Sequence, residues 1–393
     1  GAPSGLHAAR PSGQLLLASG LRMDCRSTCA DRGALVKRPP FSSRPAGAAG
    51  PSRPRRTPQE QSRQPVRDVA DGRHRAGRGQ ASVAMSTSGA AVAQGGRKLR
   101  RMEGSLFKYG GDGAHVAFQS GTPTKGLMVY IGGLTDGLLA CQYVPPLAAA
   151  LQALGWSLVQ TLLRSSHSAY GSHSLQTDSE DLDELLPSLD LPERMPLVLM
   201  GHSTGCQNCV HYLRYGKHKA RVGGIILQAP VSDREFRELD PQLPEQVQLA
   251  KELVDSGNAS RLLPPHFEHV PITAHRFLSL AHARGEGDDL FSSDLSDAEL
   301  KATLGHVHVP SLVLYSLLDE YVPDHVDKER LAQRLGKALS SNGSGKSSQA
   351  TVCMIEGANH AADAPIAREA LVSSVCDFVS NFGQSDVPER RRL

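Results

Sequence analysis

Aromatic side chains are almost missing from the first hundred residues of this 393-residue chain, where Phe41 stands alone. Acids are scarce in the same stretch, at 5 Asp+Glu against 18 Lys+Arg, and Arg, Pro, Gly, Ala and Ser dominate it. So few large apolar groups cannot offset the entropy of ordering, which predicts a disordered basic arm over residues 1–100. Without rings to stack on bases, its positive charge is a poor basis for binding nucleic acid, and no nucleic-acid partner is expected. Two readings of the arm remain. Its Arg-rich, acid-poor composition suits a transit peptide for a chloroplast or mitochondrion. Alternatively it is translated upstream sequence, with Met85 of Met85-Ser86-Thr87-Ser88-Gly89-Ala90 as the start of a cytoplasmic protein.

Other absences narrow the class further. No stretch approaches the roughly 18 consecutive apolar residues of a membrane span. Leu15-Leu16-Leu17-Ala18 is too short and poorly flanked for a secretory signal. Cysteines number seven, an odd count, and most fall in apolar patterns. That usage predicts reduced, buried thiols and a soluble intracellular protein. Cys206-x-x-Cys209 lacks the second ligand pair of a zinc site and the setting of a redox motif, so it reads as helix packing. No loop carries the Lys-Ser/Thr of a phosphate-binding P-loop. No metal and no cofactor are expected.

What is present begins with a reversal of charge. Residues 101–393 hold 35 Asp+Glu against 25 Lys+Arg, and their length suits one large α/β domain over 101–385 with a basic tail at 386–393. Short apolar runs recur at His115–Gln119, Leu127–Ile131, Trp156–Gln160, Leu197–Met200, Gly223–Gln228, Ser311–Tyr315 and Thr351–Ile355. Helical periodicity fills the intervals near 140–154, 175–188, 205–215, 326–339 and 364–381. This alternation predicts a mostly parallel sheet with helices on both faces and a site beyond the strands' C-terminal ends. One interval, about 231–308, is too long for a loop. Helical pieces near Pro244–Asp255 and Pro271–Ala283, and an acidic run at Glu286–Asp289, mark it as an insert that forms a helical lid. Residues 342–348 read as a flexible surface loop.

The chemistry centres on Gly201-His202-Ser203-Thr204-Gly205. An apolar strand precedes it, and Cys206, Cys209, Val210 and Leu213 follow at helical spacing. Strand, G-x-S-x-G and helix together make a nucleophile elbow, a turn tight enough to demand glycine on both sides. The Ser203 hydroxyl then stands at a helix N-terminus, where backbone N–H groups stabilise an oxyanion. Asp319, shortly after the strand at Ser311–Tyr315, suits the acid of a Ser-Asp-His triad, and His360, after the last strand, suits its base. Asp233 is a rival acid because it also follows a strand. Glu320 and Asp324 read as solvated, His202 as a neighbour in the turn, and His306 and His308 as structural. The oxyanion hole is expected from the N–H of Thr204 and one from Gly133 or Leu134, in the loop Gly132-Gly133-Leu134-Thr135-Asp136-Gly137.

Taken together, Ile131–Gly137, Gly201–Gly205, Asp319-Glu320-Tyr321-Val322-Pro323 and Ala358-Asn359-His360 resemble the α/β-hydrolase superfamily. Within it they resemble a fungal and plant family that includes siderophore-hydrolysing esterases, and Ser168–Leu175 is similar to a further segment of that family. The resemblance covers roughly 103–383. It implies an α/β-hydrolase fold and cleavage of a small-molecule ester or related acyl bond through an acyl-enzyme. It does not carry a siderophore substrate with it, because no residue here independently implies a hydroxamate ester. The alternative is a small-ligand-binding protein that keeps the pocket with slow turnover or none; the intact triad speaks against it.

Overall fold

All seven apolar runs enter one eight-stranded sheet, and β1 (Ser105–Tyr109), which the sequence reading missed, adds an outer edge. A computed structural model describes residues 100–382 apart from 112–114, 283, 285–286 and 341–349. The expectations for the basic arm up to residue 99, the tail at 386–393, the loop at 342–348 and Glu286 of the acidic run lie outside the described residues. The other strands are β2 (His115–Ser120), β3 (Gly126–Ile131), β4 (Trp156–Leu162), β5 (Leu197–His202), β6 (Gly224–Gln228), β7 (Ser311–Ser316) and β8 (Ala350–Ile355). Their order is β1-β2-β4-β3-β5-β6-β7-β8. β2 runs antiparallel to β1 and β4, and every pairing from β4 to β8 is parallel.

The central strands are readable because both faces are covered, which turns each into an unbroken apolar run. Every residue of β3, β5, β6 and β7 is buried. On one face lie α2 (Leu175–Ser188), α3 (Thr204–Tyr215) and α8 (Lys328–Ser340), whose Leu182, Leu185, Val210 and Leu335 pack against Val129, Leu199 and Val313. The other face takes α1 (Val144–Ala153) and α9 (Pro365–Ser380), which place Leu147, Leu151, Leu371 and Val375 against Met128, Met200 and Leu314. β1 escaped prediction because it is a largely exposed edge whose Leu106 faces solvent, so it shows no clean alternation.

The insert carries α4 (Asp233–Arg237), α5 (Leu243–Asp255), α6 (Ala274–Ala281) and α7 (Asp297–Leu304). Leu243, Val247, Phe277 and Leu280 form a small core of their own around Tyr170, with Leu134 packed against it. Hydrogen bonds fasten this core to the body, among them Thr273 N–H donating to the Gly171 carbonyl (2.9 Å) and Arg276 Nε to the Tyr170 carbonyl (3.0 Å). The insert therefore covers the loop after β3, while α7 turns back and buries Leu300 and Leu304 in the main core. Among the described residues, no helix is long and apolar enough to cross a membrane.

Candidate active site

β5 ends at His202 and α3 begins at Thr204, so the entire reversal falls on Ser203. Its backbone sits at φ 54°, ψ −125°, a conformation that L-residues rarely adopt. The glycines flanking it are obligatory by contact: a Cβ on Gly201 would lie 2.1 Å from the Gly205 carbonyl oxygen, and one on Gly205 2.2 Å from that of Ile131. The turn is closed by Cys206 N–H donating to the Ser203 carbonyl (2.8 Å) and Ser203 N–H to the Gln228 carbonyl (3.0 Å). Beneath it, the buried Cys206 thiol donates to the carbonyls of Gly201 (3.3 Å) and Gln228 (3.2 Å). Burial pushes the Cys206 and Cys209 thiols up, as packing residues require and reactive ones do not.

Asp319 and His360 follow β7 and β8, which are neighbours in the sheet, so their loops emerge side by side. His360 Nδ1 lies 2.8 Å and 3.0 Å from the two carboxylate oxygens of Asp319. Asp319 is almost completely buried, at 2 % exposure, and one of its oxygens also accepts the Tyr321 N–H (3.0 Å). Lys328 Nζ donates to the carbonyls of Leu317 (3.1 Å) and Asp319 (2.8 Å), fixing the acid's loop from behind. The Tyr321 ring stands edge-on to His360 at 4.7 Å. Asp324 is exposed, as expected of it. Glu320 differs: exposed though it is, its carboxylate accepts the His360 N–H (2.9 Å) and ties the two loops together. His306 proves structural, bonding through Nε2 to the Val210 carbonyl (2.9 Å).

Gln228, the last residue of β6, joins the two halves. Its carbonyl holds Ser203, and its side-chain amide donates to the His360 carbonyl (3.1 Å). Its Oε1 accepts from Tyr143 Oη (2.9 Å) and faces His202 Nδ1 (2.5 Å), and the His202 ring lies 4.9 Å from that of His360. No sequence motif announced Gln228; the one signal was a polar residue ending a wholly apolar strand. Burial alone would lower the His202 pKa, but Cys141 and Asp136 beside it, with Gln228, raise it to about 10.

The loop after β3 reaches over the elbow. A Cβ on Gly133 would come within 2.9 Å of Ser203 Cβ and 3.4 Å of its Oγ. Gly133 N–H already donates to Asp136 Oδ2 (2.8 Å), and Asp136 N–H returns a bond to the Gly133 carbonyl (3.1 Å). A cavity of about 20 Å³ behind the loop, room for about one water, is lined by Thr204, Asp178 and Asn208. One oxygen on each of these three has no partner. Desolvation pushes Asp178 up to about 6. The rival acid, Asp233, is also raised to about 6, first by burial and then by Asp288, against Arg237 and Arg276. The carboxylate on His360 Nδ1 is that of Asp319, not Asp233.

Known proteins are similar to this chain in sequence and fold. The fusarinine C esterase sidJ of Aspergillus fumigatus is 33% identical over 312 residues, covering 64% of this chain and 88% of the relative. The solved siderophore hydrolase EstB, also from Aspergillus fumigatus, superposes with a TM-score of 0.62 at 31% identity, over 72% of this chain and 99% of its own. A solved α/β-hydrolase fold protein of unknown function superposes at 0.55 with 21% identity, over 72% and 97%. These likenesses make the architecture an α/β-hydrolase fold. Residues 98–382 match the family described as "Protein of unknown function (DUF1749)", and the chain belongs to that family.

Proposed function

We propose that this protein is a serine carboxylester hydrolase acting through an acyl-enzyme on Ser203, with His360 as general base and then acid and Asp319 orienting it. The observation that carries the reading is the Asp319–His360 pair at 2.8 Å, joined through Gln228 to a serine in a strained elbow between a strand and a helix. With Nδ1–H given to Asp319, Nε2 is the ring nitrogen left to take the Ser203 proton. Neutral imidazole is well matched to this near pH 7. Attack on the ester carbon forms a tetrahedral oxyanion, and collapse expels the alcohol with the proton His360 returns. Water then repeats the sequence to release the acid.

The oxyanion is stabilised by the Thr204 N–H at the start of α3 and one N–H of the loop above. Of the two loop candidates, Gly133 is committed to Asp136, which favours Leu134. The named activities of sidJ and EstB support ester cleavage as the reaction class. The substrate is a small-molecule acyl ester, and the insert packed on Leu134 and Tyr170 serves as the lid over its pocket.

The test combines labelling and turnover. A fluorophosphonate probe should attach to Ser203, and Ser203→Ala and His360→Ala should each lower kcat on an activated aryl ester by several orders of magnitude, without adding. Asp319→Asn should cost somewhat less, because serine and imidazole remain while the tautomer is wrong. Asp233→Asn should be nearly silent. An unlabelled Ser203 in folded protein would sink the proposal; a crippled Asp233→Asn beside an active Asp319→Asn would reassign the acid.

A further inference from the structure

Three side chains with lone pairs converge beside the elbow from three separate segments: Asp136 in the oxyanion loop, Cys141 just beyond it and His202 at the end of β5. One ligand atom from each, a carboxylate oxygen, Sγ and an imidazole nitrogen, lies within 4.8 Å of the others. Which imidazole nitrogen faces the cluster follows from Gln228. Its amide nitrogen donates to the His360 carbonyl, so the atom 2.5 Å from His202 Nδ1 is its oxygen, which can only accept. Nδ1 therefore carries a proton. Nε2 points the other way, 3.8 Å from Asp136 Oδ2.

The surroundings resemble the outer shell that orients metal ligands. Gln228 fixes the His202 tautomer, and the buried Tyr130 hydroxyl donates to Cys141 Sγ (3.5 Å) and orients it. Gly133 N–H holds Asp136 Oδ2 at 2.8 Å. Cys141 and His202 are buried, whereas the Asp136 side chain keeps 20% exposure and leaves a way in. Three basic atoms so close in a desolvated site repel one another unless a proton or a cation lies among them. Atoms within 4.8 Å of one another fit around a centre about 2.8 Å from each. Shifts of about 0.5 Å for the sulfur and about 0.7–0.8 Å for the nitrogen and oxygen then give zinc distances of about 2.0–2.3 Å.

We propose that Asp136, Cys141 and His202 form a binding site for a divalent transition metal of the zinc class. Thiolate plus imidazole selects a borderline-soft ion over magnesium or calcium. Three protein ligands leave a fourth position open. Ligation needs the lone pairs of Cys141 Sγ and His202 Nε2, so binding displaces the protons these atoms carry and weakens as pH falls. Cys206 and Cys209 take no part, since their thiols serve the packing beneath the elbow.

Cobalt(II) tests this on the full chain after treatment with a chelator. One equivalent should bind with a near-ultraviolet sulfur-to-cobalt charge-transfer band and the visible spectrum of a four-coordinate ion, and Zn²⁺ should displace it. Cys141→Ser should lose the charge-transfer band; Asp136→Asn should keep it but bind at least about tenfold more weakly. Zn²⁺ should slow alkylation of wild-type Cys141 by iodoacetamide at least tenfold, read by peptide mass. That measurement stands even if Cys141→Ser does not fold. No band in the wild type, a band surviving in Cys141→Ser, unweakened binding by Asp136→Asn, or alkylation indifferent to Zn²⁺ would each overturn the site and leave the three atoms sharing only a proton.

Discussion

Replacing Ser203 by glycine should make the protein more stable while abolishing hydrolysis. Ser203 occupies φ 54°, ψ −125°, a backbone state that costs a residue with a Cβ about 1–3 kcal/mol. Glycine adopts it freely, but its looser unfolded state takes back about 0.4–1 kcal/mol. The net gain is about 1 kcal/mol, which for a domain of this size raises the melting temperature by about 2–4 °C. Ser203→Ala is the control, because it removes the hydroxyl and keeps the Cβ, hence the strain. Thermal unfolding followed by circular dichroism, with aryl-ester hydrolysis measured on the same samples, reads both effects. The reasoning fails if Ser203→Gly melts at or below Ser203→Ala, for the elbow would then hold no strain that glycine can release.

Two further expectations concern the frame around the site. Arg276, 4 % exposed, pairs with Asp288 and donates to the Tyr170 carbonyl, so Arg276→Met leaves a buried carboxylate unpaired and should cost about 3–5 kcal/mol. Urea unfolding checks this, and a cost below about 1 kcal/mol would show that the insert is held by its apolar core alone. Asp178, raised to about 6 by desolvation, favours the folded state while protonated. Its contribution is fully present below about pH 4 and is lost as pH rises through about 6. Asp178→Asn should therefore reduce the difference in unfolding free energy between pH 4 and pH 7 by about 2 kcal/mol; an unchanged difference in denaturant titrations would refute it.

The sequence discloses those parts of the fold whose physics is local. Strands buried on both faces must be apolar throughout, so β3, β5, β6 and β7 announce themselves. The elbow is legible for a similar reason, since Gly201 and Gly205 are required by contacts within a single turn. Elements whose identity depends on distant partners do not show. α4 has five residues, and its buried Arg234 is satisfied by Asp289, about fifty positions away, so it reads as a polar loop. Glu320 looks solvated until the neighbouring strand brings the His360 N–H to it.

Gln228 shows most clearly why the rest was hidden. A polar side chain buried at 1% exposure is costly unless its donors and acceptor are engaged. Its partners come from β5, from α1's N-cap Tyr143 and from the loop after β8, none of them near it in sequence. Each bond narrows the next: the amide given to His360 fixes the oxygen toward His202, and that oxygen fixes the His202 tautomer. The same residue's carbonyl holds the N–H of Ser203. A single glutamine therefore sets the backbone of the serine turn, the position of the histidine loop and the direction of a neighbouring imidazole. Precision at this site rests on the closure of a buried polar network around one strand end, with the G-x-S-x-G turn as one of its members.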